Sequence, residues 1–198
     1  MDTTLDFYNG MAADFVRGTI HADVETLRQS FLKYLKHGAA ILDLGCGSGR
    51  DSKYFLEKGY AVTAADGSAE LCKLASAYIG RDVALITFDK LDYDHEFDGV
   101  WACASLLHVP SIQLQSIFGK ISRSLNPGGY LYVSFKYGTF EGERNGRYFT
   151  DLTEERLACI ISYHEELEII EMAISDDVRE DRRDEKWINA IVRKRLHG

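Results

Sequence analysis

The sequence predicts an α/β fold in which helices alternate with the strands of a mainly parallel sheet. Three observations carry this prediction: short apolar runs recur along the chain, stretches of helical periodicity separate them, and turn-forming residues end several of them. Alternation favours parallel pairing, because parallel strands need a long crossover connection that is usually a helix. The length of 198 residues predicts one domain.

The elements follow in a regular order. The opening segment, to about residue 36, has apolar residues every three to four positions and predicts two helices. The predicted strands after it are Ala39–Leu44, Tyr60–Ala65, Val83–Phe88, Phe97–Cys103 and Tyr130–Phe135, with helices near Asp51–Glu57, after Ser68 and after Ser111. A polar segment, about 136–152, interrupts the pattern. The last two predicted strands, Leu167–Ala173 and Trp187–Arg193, form a hairpin with a long charged loop.

Composition narrows the functional classes. The net charge is −8, from 23 basic and 31 acidic residues, which works against broad binding to nucleic-acid phosphates. The four cysteines form no CxxC pair, so reduced thiols are favoured over a disulfide framework or a metal site. No apolar run approaches the roughly 18 residues of a membrane helix, and the acidic N-terminus is unlike a signal peptide. We therefore expect a cytoplasmic protein without membrane attachment.

A glycine-rich loop follows the first predicted strand. Gly45, Gly47 and Gly49 form a GxGxG pattern between a strand and a helix start. Glycine permits positive φ and lets a ligand approach the bare backbone, so this arrangement predicts a nucleotide or nucleoside cradle. The nicotinamide alternative requires GxGxxG, whereas position 50 is an arginine, and a P-loop lysine is absent.

Two acids lie at the ends of the next two predicted strands. Asp66 is about 20 residues beyond the loop, where a carboxylate can accept from two ribose hydroxyls. Asp89 follows the third strand, where an acid can accept from an adenine amine. Together with Phe97–Trp101 and Leu125–Gly129, these features resemble the successive motifs of class I S-adenosylmethionine-dependent methyltransferases. Within that superfamily, the chain is most similar to small-molecule and tellurite-resistance-type enzymes.

The resemblance implies a Rossmann-like, seven-stranded mixed sheet with helices on both faces and the last strand antiparallel. It implies S-adenosylmethionine as cofactor and S-adenosylhomocysteine as product. The cofactor-binding residues that it implies are Tyr8, Asp43, Gly45, Cys46, Gly47, Ser48, Gly49, Asp66, Gly67, Ser68, Phe88, Asp89, Lys90, Ala102 and Ser105. Tyr8 resembles an N-terminal tyrosine that closes over the cofactor.

The transfer chemistry needs no covalent nucleophile, because the cofactor carries the reactive group. His108 follows the fourth strand at the ligand-binding edge and is the candidate general base, with a structural role in its loop as the alternative. We expect two covers over the site, an N-terminal helical one (about 1–36) and an inserted one (about 136–152). Candidate acceptor-binding residues in the inserted cover are Arg144, Arg147, Tyr148 and Phe149, with Arg179, Arg182 and Arg183 in the later loop. A solvated, charge-balanced loop is the alternative for both segments.

Three functions remain open at this stage. The first is methylation of a small-molecule acceptor, the second is RNA methylation, for example of tRNA, and the third is cofactor binding without catalysis by a partner or sensor protein. The Asn-Pro-Pro-Tyr-type signature of DNA amino-group methylation is missing, since the chain reads Ala102-Cys103-Ala104-Ser105 at the end of the fourth strand. We expect no metal and a monomer or homodimer.

Overall fold

The computed structural model describes residues 3–179, 182 and 184–196. Its strands are β1 (Ala40–Leu44), β2 (Ala61–Asp66), β3 (Ala84–Leu85), β4 (Phe97–Ala102), β5 (Leu125–Lys136), β6 (Glu141–Arg144), β7 (Arg147–Thr150), β8 (Leu167–Asp176) and β9 (Lys186–Lys194). Its α-helices are α1 (Thr3–Thr19), α2 (Glu25–Leu32), α3 (Arg50–Glu57), α4 (Ala69–Ile79), α5 (Ser111–Ser124) and α6 (Glu154–Ser162).

Seven strands form one sheet in the order β3-β2-β1-β4-β5-β9-β8. The strands from β3 to β5 pair in parallel, and β9 runs antiparallel to both β5 and β8. The predicted Rossmann-like mixed sheet with an antiparallel last strand is therefore confirmed. The strand order reverses between β1 and β4, and a crevice opens at such a switch point beyond the carboxyl ends of the strands.

The core lies on both faces of the sheet because side chains alternate along each strand. In β4, Val100 belongs to the larger apolar cluster, whereas Trp101 belongs to the cluster on the opposite face. The Trp101 ring stacks on Tyr132 of β5 with a centroid distance of 4.0 Å. Phe31 of α2 and Phe55 of α3 also belong to this second cluster and are fully buried.

The third strand is shorter than predicted. Pairing is limited to Ala84 and Leu85, and the following residues Phe88–Lys90 form a 3-10 turn. This strand lies at the edge of the sheet and Leu85 is 60% exposed, so little packing extends it. The Thr87 hydroxyl donates to the Asp89 carboxylate over 2.6 Å and favours the turn instead.

The inserted segment is a β-hairpin rather than an irregular polar stretch. Strands β6 and β7 pair antiparallel around Asn145 and Gly146, which both have positive φ. An Asn-Gly pair between two short strands is the sequence of a tight hairpin turn. The hairpin packs on α1, where the Tyr148 amide donates to the Thr4 hydroxyl over 3.0 Å. Among the described helices, none has the length and apolar character needed to cross a membrane.

Candidate active site

The glycine loop after β1 is held to the end of β2 by backbone contacts. The amides of Gly45 and Cys46 both donate to the Ala65 carbonyl, over 2.8 and 3.0 Å. The Asp66 carboxylate accepts from the Gly47 amide over 2.9 Å and from the Ser68 amide over 2.8 Å. Gly47 has φ 55°, which most side chains disfavour. Asp66 therefore fixes the shape of the loop as well as facing the crevice.

The loop of β1 approaches the loop of β4 too closely for a side chain. A Cβ added at Gly45 would lie 2.5 Å from the Cβ of Ser105. The Ser105 hydroxyl is buried and has no hydrogen-bond partner among the described residues. A buried hydroxyl without a partner is unfavourable unless a ligand supplies one.

Two cavities open at the carboxyl edge of the sheet, each with about 1110 Å³ of empty space. The β2-side cavity is lined by Thr4, Leu5, Asp66, Gly67, Leu71, Ile86, Thr87, Phe88, Asp89, Ser105, Val109, Pro110, Gln113 and Ile117 in addition to the shared residues below. The β5-side cavity is bounded by the ends of β1, β5, β8 and β9, by α1 and by the hairpin.

The two cavities meet at one wall. Its residues line both cavities and are Tyr8, Phe15, Gly45, Gly47, Ala104 and His108. Ala104 has φ 50° and shows only a methyl group. A ligand that extends from one cavity to the other would therefore pass along glycine and alanine backbone, with the rings of Tyr8 and His108 beside it.

The residues present fit a cofactor with a nucleoside in the β2-side cavity. Asp66 keeps lone-pair capacity for a ligand hydroxyl beyond its backbone contacts with Gly47, Gly67 and Ser68, and apolar Phe88 offers a surface for a base. Burial raises the pKa of Asp66, although the Ser68 and Gly47 amides oppose that shift. Asp43 lies in the β5-side cavity, and burial together with the nearby Asp51 raises its pKa. These acids suit a ligand that carries positive charge.

Residues 42–133 match the family model described as a methyltransferase domain. The match runs from β1 to β5 and so contains the loop, the switch point and the shared wall. Over these residues the sequence is that of a methyltransferase domain, and the seven-stranded mixed sheet has the Rossmann-like methyltransferase fold. S-adenosylmethionine is the cofactor of such a domain, which agrees with the cavity residues.

The relatives of this methyltransferase domain are named for different reactions and substrates. The ubiquinone biosynthesis O-methyltransferase of Xanthomonas oryzae is 34% identical over 104 residues, which cover 49% of this chain and 43% of that protein. The matched part of the chain spans between 37% and 57% of the length of these curated relatives. The structure of the Burkholderia thailandensis 1,6-didemethyltoxoflavin-N1-methyltransferase, with S-adenosylhomocysteine bound, has a TM-score of 0.78 at 23% identity and covers 96% of this chain and 87% of that one. The [4+2]-cyclase SpnF has a TM-score of 0.72 at 18% identity, covering 97% and 95%.

His108 of this domain is held between two partners. Its Nδ1 lies 2.6 Å from the carbonyl oxygen of Tyr148, and its Nε2 lies 2.8 Å from the hydroxyl of Tyr8. Its ring also contacts Phe149 edge-on, with a centroid distance of 4.8 Å. The histidine thus joins α1, the β4 loop and the hairpin.

Arg147 of the hairpin faces the same place. Its guanidinium lies over the rings of Phe7 at 4.7 Å and Phe149 at 5.1 Å, and its Nη1 donates to the Tyr8 hydroxyl over 3.4 Å. In the described part of the chain no carboxylate pairs with Arg147, and its buried Nε has no hydrogen-bond partner. The β5-side cavity therefore has in its wall a cation that forms no ion pair with a carboxylate of the described residues.

Several residues implied by the resemblance lie outside both cavities. Gly49 packs against α4, because an added Cβ would lie 3.0 Å from Ile79 and 3.2 Å from Ala75. Ser68 caps α4 by accepting from the Leu71 amide. Lys90 is exposed and pairs with Asp89, and Ala102 is buried in the sheet. Tyr8, Asp43, Gly45, Cys46, Gly47, Ser48, Asp66, Gly67, Phe88, Asp89 and Ser105 line one cavity or both.

Two of the four acceptor-binding residues expected in the inserted cover also face elsewhere. Tyr148 turns away from the cavities and donates to Glu141 over 3.0 Å, because alternate residues of β7 point to opposite faces. Arg144 pairs with the Asp151 carboxylate and stacks on Phe140. Arg147, Phe149, Arg179 and Arg182 line the β5-side cavity, and Arg183 lies outside the described residues.

Other cavity residues were not found by sequence reasoning. The spacing of Phe15 places it on the apolar face of the first helix, which predicts only packing, yet Phe15 forms part of the shared wall. Lys136, Trp187 and Asn189 come from β5 and β9, which are far apart in sequence but paired in register. For Lys136 the sequence does contain a signal, because this residue directly follows a buried strand and therefore lies at the ligand-binding edge of the sheet.

Asp66→Asn should weaken binding of S-adenosylhomocysteine roughly tenfold to a hundredfold. A neutral side chain would replace the charged acceptor, and its NH2 group would face a backbone N–H, so that two donors meet. Because the pKa of Asp66 is raised, this carboxylate should become protonated at a higher pH than an ordinary aspartate. The affinity of the wild type should therefore decrease as the pH is lowered, whereas the affinity of the variant should not change. Calorimetry across acidic and neutral pH measures both effects. Exposed Asp82→Asn is the control, and equal affinities for all three proteins would remove Asp66 from the site.

Proposed function

We propose that this chain transfers a methyl group from S-adenosylmethionine to a small-molecule acceptor held in the β5-side cavity. The observation that carries the proposal is the shared wall, where two cavities of suitable size meet along bare backbone. A nucleoside in one cavity and an acceptor in the other would present their reacting atoms to each other at this wall. Orientation of the two reactants is the main catalytic contribution that the protein has to make.

The residues divide between the two ligands by their positions. Asp66 and Asp89 would hold the ribose and the adenine amine, and Asp43 would face the charged amino-acid end. The cofactor, when bound, supplies an electrophilic methyl group on a positively charged sulfur. The protein excludes water with the Tyr8 and Phe15 rings of α1 above the glycine loop.

A small acceptor is favoured over RNA by the way the cavity is covered. The hairpin is tied to α1 through Thr4 and Tyr148, and the Gly146 turn packs on Phe7. The resulting roof covers part of the cavity and narrows the access to it. The net charge of −8 adds to this argument, because a polyanion would be repelled. The small molecules in the names of the ubiquinone and toxoflavin relatives point the same way.

The test is transfer of label from methyl-tritiated S-adenosylmethionine. Purified protein is incubated in parallel with a panel of phenols, amines, thiols and carboxylic acids and with total tRNA, and label is counted in each product. Label in a small molecule supports the proposal. Label in tRNA alone would establish RNA methylation instead, and S-adenosylhomocysteine binding without any transfer would establish a cofactor-binding protein that does not catalyse methylation.

A further inference from the structure

The contacts of His108 fix which of its nitrogens carries a proton. A carbonyl oxygen can only accept, so the Nδ1 that lies 2.6 Å from the Tyr148 carbonyl must be the N–H donor. In the neutral ring Nε2 is then the acceptor, and the Tyr8 hydroxyl must donate to it over 2.8 Å. The lone pairs of the Tyr8 oxygen are left for other donors.

The Tyr8 oxygen is the group that an incoming acceptor would meet. Tyr8 belongs to the wall that both cavities share, and its ring is fixed edge-on by Phe7 and Phe15. His108 stands behind it, with Nε2 already occupied by the Tyr8 hydroxyl. A direct role for His108 as base would require this hydrogen bond to break.

The surroundings of Tyr8 keep its phenol protonated at rest and also contain cations that stabilise negative charge on its oxygen during transfer. Burial raises its pKa, and the negative charge of Asp66 acts in the same direction. Arg147, which hydrogen-bonds the phenol oxygen, and Arg179 act in the opposite direction. Tyr8 therefore rests as a hydroxyl, next to a cation that favours an oxyanion.

We propose that the hydroxyl of Tyr8 takes the proton of the acceptor and passes its own proton to His108, so that Tyr8 is a catalytic residue and not only a cover for the cofactor. This inference rests on the proposed function and names the acceptor class, a small molecule with a phenolic or enolic hydroxyl. Proton relay through the Tyr8 phenol is efficient when the hydroxyl that gives up its proton has an acidity similar to that of the phenol. An aliphatic alcohol is a much weaker acid, and a carboxylic acid is already ionised at neutral pH.

The step balances in atoms and charge. The acceptor oxygen forms a bond to the methyl carbon and loses its proton to the Tyr8 oxygen, while the Tyr8 proton moves to His108 Nε2. The electron pair of the broken carbon–sulfur bond stays on sulfur, which becomes neutral. The positive charge that leaves sulfur ends on the imidazolium of His108, where the Tyr148 carbonyl accepts from Nδ1–H. Arg147, which donates to the Tyr8 oxygen, stabilises negative charge on that oxygen while the protons move.

The first test needs no turnover and uses nitrogen NMR of the histidine side chains with S-adenosylhomocysteine added. We expect neutral His108 as the Nδ1–H tautomer. In Tyr8→Phe the Nε2 signal of His108 should shift, because the hydrogen bond that this nitrogen accepts from the Tyr8 hydroxyl is lost. Tyr163→Phe, at an exposed ring, is the matched control and should leave both signals unchanged. An Nε2–H tautomer in the wild type would overturn the relay even if methyl transfer is found.

The second test compares variants in labelled transfer to a phenol. Tyr8→Phe should lower kcat about 100-fold and change the affinity for S-adenosylhomocysteine less than threefold. His108→Asn keeps a donor for the Tyr148 carbonyl but lacks the Nε2 acceptor, so it should lose transfer similarly while retaining the thermal stability of the wild type. Loss of affinity equal to the loss of kcat would mean that Tyr8 only covers the cofactor. Full activity of His108→Asn would mean that the histidine is structural.

Discussion

Gly47→Val should abolish binding of S-adenosylhomocysteine, so that saturating ligand no longer raises the melting temperature. The added Cβ would lie 3.0 Å from the ring of Phe15 and point across the wall that both cavities share. Phe15 is a side chain that can move aside, so the fold should survive, whereas the methyl groups of valine would occupy the ligand path. Differential scanning fluorimetry with and without ligand measures the effect.

The control is chosen to separate backbone strain from loss of space. Gly47 has φ 55° and Gly80 has φ 70°, so valine is strained at both positions, by about 1–2 kcal/mol. A Cβ at Gly80, however, would have no neighbour within 4 Å. Gly80→Val should therefore lower the melting temperature and still respond to ligand. A normal ligand response in Gly47→Val would show that the glycine loop is only a turn.

Asp51→Asn should lower the free energy of unfolding by about 3–5 kcal/mol, the usual effect of removing one partner from a buried ion pair. The Asp51 carboxylate accepts from Arg28 over 2.9 Å, from Arg50 over 2.7 Å and from the Trp101 indole over 3.0 Å. An amide in its place leaves the largely buried Arg50 guanidinium without its carboxylate partner, and leaves Arg28 only the more distant carboxylate of Glu25 at 3.5 Å. Urea denaturation measures the loss.

The pH dependence gives a second measurement on the same residue. Burial opposes ionisation of Asp51, but the hydrogen bonds and charges of Arg50 and Arg28 outweigh it and lower its pKa. A lowered carboxyl pKa contributes stability above the ordinary pKa of aspartate, and this contribution is lost as the pH falls below it. The difference between wild type and Asp51→Asn should therefore shrink in acid. Exposed Glu57→Gln on the same helix should stay within about 0.5 kcal/mol of the wild type, and a similarly small change in Asp51→Asn would contradict the prediction.

The covers show where sequence patterns stop being informative. The segment 136–152 was expected to supply four acceptor-binding residues, but its fold decides which of them reach the cavity. Because β7 alternates, Arg147 and Phe149 point inward while Tyr148 points to Glu141. The Asn145-Gly146 pair was the local signal for a hairpin, and it was read only as part of a polar stretch.

The sequence by itself determined the α/β fold, the glycine loop after β1 and the acid at the end of β2. These features are local: strand, loop and helix follow one another along the chain, and parallel strands bring their carboxyl ends to one edge wherever the sheet forms. Only the tertiary structure decided the partners of His108 and Arg147. Their contacts join α1, the β4 loop and the hairpin across 40 to 140 positions of sequence, and no periodicity encodes which side chains meet at that distance.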